Sequence, residues 1–206
     1  MSGSGTVARW GRIDEPDEAV ARLLDAAGQV FLHKGVASGS LADVAAAAGC
    51  ARGTLYRYFG DREGLRRAFV EREAARIGDR VQVRVAAITD PEVRLVESVL
   101  AAVDEVRADP VLAAWFNEGA AATAARLAVQ TIGVSRQAEA FLRRLRRDPS
   151  TRPMLRPGLR PAVAADAIVR VILSLLTMPA EAGSRGATSR AERELVTTLL
   201  VPAIFR

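Results

Sequence analysis

Residues 38–63, SGSLADVAAAAGCARGTLYRYFGDRE, decide the fold of this chain. They predict two short helices joined by a turn at Gly49, because glycine accepts the left-handed backbone that such a turn needs. Ser40 is a suitable N-cap for the first helix, and Asp43 stands three residues on, where a capping box has its second member. The second helix covers about residues 51–59. The segment therefore has the pattern of a helix–turn–helix.

The second helix carries a dense row of groups that can touch a phosphate backbone or a base. Arginine offers a fork of donors to phosphate or guanine, tyrosine and threonine hydroxyls suit phosphate oxygens, and glycine lets two backbones approach closely. The free N–H groups of the following helix start also attract phosphate. The candidate DNA-binding residues in this segment are Arg52, Gly53, Thr54, Tyr56, Arg57, Tyr58 and Arg62. The alternative is an ordinary capped helix with exposed aromatics, in which Arg57 pairs with Asp61.

Helical periodicity continues on both sides of this segment, and strand-like alternation is absent from the sequence. Pro16 opens a helix that Gly35 ends. Further helices are expected at about 62–85, 120–147, 161–178 and 190–205, and after Asp90-Pro91 and Asp109-Pro110. We therefore predict an all-α chain with three parts. These are a flexible arm (1–15), a three-helix DNA-binding domain with the helix–turn–helix (16–62), and a helical regulatory and dimerisation domain (63–206).

Composition narrows the possible functions. The net charge of +5 favours a polyanionic partner without proving one. Cys50 is the only cysteine, which excludes an internal disulfide and fits a reducing cytoplasm. We expect it to be a small core residue. No apolar run is long enough to span a membrane, so we predict a cytoplasmic protein without membrane contact. With one histidine and one cysteine, we expect no metal site, no cofactor and no catalytic residues.

The stretch SGSLADVAAAAGCARGTLYRYFGDREGL resembles the DNA-binding domain of the TetR family of transcriptional regulators. The family run AG-x-x-x-G-T-L-Y-x-Y-F-x-x-[KR]-E-x-L is present without a gap, and the resemblance extends from about residue 19 to residue 69. Ala51 replaces a frequent hydroxyl residue, which puts one phosphate contact in doubt. Arg62 keeps the charge of a more usual lysine, and Ser40 keeps the hydroxyl of a usual threonine. Ser40 therefore joins the candidate DNA-binding residues.

The resemblance implies a ligand-responsive repressor that binds a double-stranded DNA operator as a homodimer. A two-fold dimer presents two recognition helices to successive major grooves, so the operator should be a palindrome. Residues 161–178 and 190–205 resemble the last two helices of many actinobacterial members and form the expected dimer seam. The first of these is apolar on nearly all sides, so we expect burial all round. Arg9 and Arg12 of the arm could add DNA contacts.

The C-terminal part is less specific about its ligand. A pocket for a small-molecule effector of unknown identity could be lined by Trp115, Phe116, Phe141 and Met178. Apolar residues at helical spacing are, however, more often part of the hydrophobic core. The segment 143–160 contains seven arginines, and Asp148 is its only acidic residue. These arginines form either a second anion site or a solvated connector after a helix.

Two other function classes stay open from sequence alone. One is a constitutive DNA-binding protein with no effector and a solid C-terminal core. The other is a helical enzyme that contains a helix–turn–helix, although no nucleophile–base pair or metal set supports that alternative.

Overall fold

The structure, a computed structural model, describes residues 16–116, 121–130, 132–178 and 188–206. Every regular element in these ranges is helical, and their one β-type pairing is an isolated bridge between Leu155 and Phe205. The prediction of an all-α chain is confirmed. The chain divides into two compact units, one through Phe69 and one from Val70. The predicted arm, with Arg9 and Arg12, lies outside the described residues.

The first unit is a small helical domain around one apolar core. Its helices are α1 (Pro16–Lys34), α2 (Leu41–Ala48), α3 (Arg52–Phe59) and the first turns of α4 (Arg62–Arg84). The side chains that these helices bury together are Leu23, Ala27, Phe31, Val44, Leu55, Leu65 and Phe69. The rings of Phe31 and Phe69 meet edge to face, with centroids 5.3 Å apart and an interplanar angle of 87°. Aromatic pairs prefer this edge-to-face geometry, and the contact packs α1 against the first turns of α4.

The boundary between the units lies inside α4. The compact units separate after Phe69, within the helix predicted at about 62–85, and the assignment of a DNA-binding domain to 16–62 and a regulatory domain to 63–206 stays a prediction. Leu65 and Phe69 are both buried in the first unit, so the first turns of α4 complete that core. The helix itself continues unbroken to Arg84.

The second unit contains the remaining helices. They are the rest of α4, α5 (Pro91–Ala108), α6 (Pro110–Ala113), α7 (Ala121–Gln130), α8 (Ile132–Arg147), α9 (Pro161–Thr177) and α10 (Arg190–Ile204), with short 3-10 turns at Ala114–Phe116 and Arg152–Met154. Proline and aspartate start α5 as expected, because the carboxylate of Asp90 accepts hydrogen bonds from the N–H groups of Glu92 (2.8 Å) and Val93 (2.9 Å). A large apolar cluster joins α5, α8, α9 and α10.

The segment predicted as one helix at about 120–147 is helical wherever the structure describes it, as α7 and α8. Position 131, between these two ranges, lies outside the described residues. Helix α8 ends at Arg147, where the sequence predicted the end of this helix.

A buried ion pair joins three helices of the second unit. Arg107, near the end of α5, binds the carboxylate of Glu192 through two nitrogens at 2.6 and 3.1 Å. It also donates to the carbonyl oxygen of Leu175 in α9 at 2.9 Å. Glu192 accepts from the N–H of Ser189, the N-cap of α10, at 2.9 Å. The pair therefore fixes the start of α10 against the ends of α5 and α9, which the sequence pattern did not predict.

The expected all-round burial of α9 is wrong for the single chain. Ala164, Ala165, Ile168 and Val169 are buried on one side of the helix. On the other side Val163 is 56% exposed, and Arg170 pairs with Asp166 at 2.7 Å in solvent. Among the described residues, no helix combines the length and the hydropathy needed to cross a membrane.

Candidate nucleic-acid interface

The start of α2 is fixed by the predicted capping box. The hydroxyl of Ser40 accepts from the N–H of Asp43 at 3.2 Å and donates to the Asp43 carboxylate at 2.7 Å. The N–H of Ser40 donates to the same carboxylate at 3.0 Å. The Lys34 ammonium lies 2.5 Å from Asp43, and with the Ser40 bonds it holds the pKa of Asp43 far below its ordinary value. The Ser40 hydroxyl is therefore already engaged within the chain.

The turn between the two helices is made by Gly49, as the sequence predicted. Its φ of 66° lies in the left-handed region, and its N–H bonds the carbonyl oxygen of Ala46 at 3.2 Å. The N–H of Cys50 bonds the carbonyl oxygen of Ala45 at 3.0 Å, which completes the C-cap of α2. Cys50 is half-buried, whereas we expected a core residue, and burial raises the pKa of its thiol.

Helix α3 is anchored on one side only. Leu55 is completely buried, whereas Arg52, Gly53, Tyr56 and Arg57 are exposed. Positions i, i+1, i+4 and i+5 share one face of a helix, so these four residues form a single outward surface. We call them the α3 outward face.

The two aromatic residues that end α3, Tyr58 and Phe59, are both half-buried. An eight-residue helix held by one buried leucine rests its flanks on the domain, so neither ring is fully covered or fully free. The guanidinium carbon of Arg57 lies 5.1 Å from the centre of the Tyr58 ring, within cation–π range.

The alternative partner of Arg57 has another role. Asp61 accepts a hydrogen bond from the N–H of Gly64 at 2.6 Å and so caps the start of α4.

Two glycines of this region have opposite structural reasons. A Cβ on Gly53 would meet no atom within 4 Å, so packing within the chain does not require glycine there. A Cβ on Gly64 would lie 1.9 Å from the carbonyl oxygen of Phe59, so the first turn of α4 must pass directly against the end of α3. Gly64 therefore allows the close approach of α3 and α4, a role that the sequence pattern did not predict. Its position was the available signal, because a glycine inside the first turn of a helix costs stability.

Arg62 and Arg66 bind the loop that precedes α2. Arg62 donates to the carbonyl oxygen of Ala37, and Arg66 donates to that of Val36. These bonds hold α4 to the start of the helix–turn–helix within the first unit. A guanidinium has five N–H donors, so the predicted phosphate contact of Arg62 is compatible with this bond and stays a prediction.

The four candidate ligand residues lie in different surroundings. Trp115 is buried, and Phe116 packs against Val169 and Leu173 of α9. Phe141 belongs to the large core cluster and lines a cleft that includes none of the other three. Met178 is 69% exposed. Neighbouring residues 117 and 118 lie outside the described part, and the ligand role of the four stays a prediction.

Comparison with known proteins agrees with this geometry. Residues 23–69 match the model of the bacterial regulatory proteins of the tetR family. An uncharacterised HTH-type transcriptional regulator of Mycobacterium tuberculosis is 34% identical over 195 residues, which cover 95% of this chain and 90% of that protein.

Solved structures share the fold at low identity. The TetR family repressor AlkX of Dietzia, implicated in biodegradation of n-alkanes, has 21% identity and a TM-score of 0.63, with 93% of this chain and 96% of that chain covered. The regulator FadR of Bacillus subtilis, solved with stearoyl-CoA, has 18% identity and a TM-score of 0.60, with 89% and 98% covered. With its helix–turn–helix and a relative matched along nearly its whole length, the chain belongs to the TetR family of transcriptional regulators.

Proposed function

We propose that this chain is a homodimeric repressor that binds a palindromic operator and is released by a small-molecule effector. The observation that carries the proposal is the α3 outward face. It exposes two arginines, a tyrosine and a glycine on a helix that Leu55 alone anchors. A recognition helix needs this combination, because it must fill a major groove while a second helix holds it in place.

Each member of the face has a distinct task in the proposed complex. Arg52 and Arg57 supply charged donors to phosphates or guanines, and Tyr56, 56% exposed, supplies a hydroxyl to phosphate. Gly53 allows the DNA backbone to approach, and the half-buried Thr54 and Tyr58 flank the contact. Since the Ser40 hydroxyl is engaged in the capping box, we assign Ser40 to DNA through its placement of the α2 start.

The dimer is proposed to form through α9 and α10. The outward side of α10 carries Leu195 and Leu199, 43% and 50% exposed, with Pro202 beyond them. Residues spaced by four and seven lie along one stripe of a helix. Val163 of α9 is similarly exposed. Exposed apolar stripes on two adjacent helices are typical of a surface that a second copy covers.

Effector release is proposed to act through α4. The last turns of this helix are ion-paired with α5, because Arg84 binds Asp104 at 2.9 Å and Arg80 binds Glu105. The same helix begins at Arg62 beside the helix–turn–helix. A ligand that binds one arrangement of the second unit better than another would shift the dimer between DNA-binding states by that difference in affinity. FadR, which shares the fold, binds stearoyl-CoA in its solved complex, which supports an effector here.

The test is a selection from random duplex DNA with the purified chain, followed by sedimentation of the complex with the enriched duplex. The proposal expects a palindromic consensus and two chains per duplex. A compound screen on that complex then scores release of DNA. Enrichment of no sequence would overturn the operator. Enrichment with no releasing compound would favour a constitutive DNA-binding protein.

A further inference from the structure

A cleft of about 150 Å³ opens on the second unit where α4 ends, α5 begins and α8 ends. It is lined by Gln82, Arg94, Phe141, Arg144, Leu145 and Asp148. The walls have two kinds of surface. Phe141 and Leu145 are buried side chains that continue into the core, and the other four side chains are polar or charged.

The two arginines of the cleft, Arg94 and Arg144, form no ion pair among the described residues. The Nε of Arg94 is buried and has no hydrogen-bond partner among the described residues. Arg144 is exposed and takes part in no ion pair in the described ranges, whereas the adjacent Arg143 binds Glu139 at 2.9 Å. The Arg94 side chain nonetheless lines the cleft, so its guanidinium and that of Arg144 bring two positive charges to the same opening.

The one carboxylate of the cleft, that of Asp148, is engaged by Ser150. The Oδ1 of Asp148 accepts from both the N–H and the hydroxyl of Ser150, at 2.9 and 2.6 Å. These bonds, with the nearby charge of Arg94, lower the pKa of Asp148 and keep it ionised. The carboxylate forms no ion pair within 4 Å with Arg94 or Arg144 among the described contacts. With two guanidiniums and one carboxylate, the lining keeps an excess positive charge.

We propose that this cleft binds a small organic anion, with its carboxylate between Arg94 and Arg144 and its apolar part against Phe141 and Leu145. The Gln82 amide offers a further donor to the anion. The volume sets the size, because a cavity of about 150 Å³ accepts one benzene-sized group. Of the seven arginines between residues 143 and 160, this proposal assigns Arg144 to an anion site and assigns no ligand to the other six. That the anion acts as effector rests on the proposed function.

Calorimetric titration of the full chain with benzoate tests the site, with benzamide as the neutral analogue of the same shape. We expect saturable benzoate binding with an affinity of about millimolar or tighter, which is reasonable for so few atoms. Benzamide should bind about tenfold more weakly or not at all, because charge-assisted hydrogen bonds are lost. Arg144→Gln should weaken benzoate binding by a similar factor, and Arg94→Gln by at least as much.

Arg143→Gln is the matched control, because it removes the same charge one residue away on the same helix and should leave benzoate affinity unchanged. Arg144 is exposed, so Arg144→Gln tests the site without disturbing the core. Melting temperatures show whether Arg94→Gln and Arg144→Gln remain folded. Absence of saturable benzoate binding, or equal affinity in wild type and Arg144→Gln, would overturn the proposal. Calorimetry needs no DNA, so either result is independent of whether the chain binds an operator.

Discussion

Helices α3 and α10 are held in the same way but present opposite surfaces. Each buries one side in its own unit, through Leu55 in α3 and through Val196, Leu200 and Ile204 in α10. Outward, α3 exposes arginine, tyrosine and glycine, whereas α10 exposes Leu195 and Leu199. The buried sides are alike because the side chains named above are apolar and pack against the core of their own unit. The outward sides differ because, in our proposal, one meets a polyanion and the other meets a second copy of the chain.

The comparison separates residues that fold a helix from residues that a partner needs. In the first unit this separation is clearest at two glycines, since packing does not require Gly53 of α3 but does require Gly64 of α4. On α10 Leu195 and Leu199 lie outside the buried core of the single chain. Changes to outward residues should therefore alter binding and leave stability unchanged, and changes to inward residues should do the reverse.

The largest effect is expected from charge on the α10 stripe. Leu195→Glu with Leu199→Glu should convert the dimer to monomer, because two carboxylates would be desolvated in an apolar seam. Operator affinity should then fall by about 10²–10⁴-fold, the gain that linked binding provides. Sedimentation and fluorescence anisotropy measure the two effects. Thr197→Glu lies on the opposite flank of α10 and is the control. Dimers that persist in the double variant would place the interface elsewhere.

A pair of identical substitutions tests the two glycines. Gly64→Ala should destabilise the first unit by about 1–3 kcal/mol, because the methyl group forces α4 away from Phe59. Gly53→Ala should stabilise it by about 0.5–1 kcal/mol, since alanine is the better helix former, while DNA affinity falls. Chemical denaturation followed by circular dichroism gives the sign of each change. Equal destabilisation by both would show that Gly53 is structural.

Arg52→Gln should change the salt dependence of operator binding. If Arg52 neutralises one phosphate, the slope of log affinity against log salt should lose about 0.9. Anisotropy titrations at several salt concentrations measure the slope. Arg143→Gln, at an exposed position of α8 in the second unit, should leave the slope unaltered. An unchanged slope for Arg52→Gln would assign this arginine to a base or to solvent.

The smallest effect concerns the capping box at acid pH. The pKa of Asp43 is lowered from its ordinary 3.8 by Lys34 and Ser40, so its carboxylate stabilises the folded state at neutral pH. That contribution is present above about pH 4 and is lost as the pH falls further. Asp43→Asn should therefore make stability depend less on pH below 4, as unfolding titrations would reveal. A variant with the wild-type acid profile would mean that another carboxylate dominates.

The first unit was far more predictable from sequence than the second. Ser40 and Gly49 act through local rules of capping and turn geometry, and the structure uses both as expected. The Arg107–Glu192 pair joins residues 85 positions apart, and no local pattern records such a contact. The exposed side of α9 was misjudged because composition reports apolar character but not which partner covers it.

In our proposal, the α3 outward face binds DNA without contributing to the fold. Anisotropy on the selected duplex with the double variant Tyr56→Ala and Arg57→Ala, beside its melting temperature, tests both parts at once. We expect the melting temperature to stay close to wild type and operator affinity to fall by about 10-fold or more, since each lost contact costs of the order of 1 kcal/mol. Wild-type operator affinity in a folded variant would contradict the proposal.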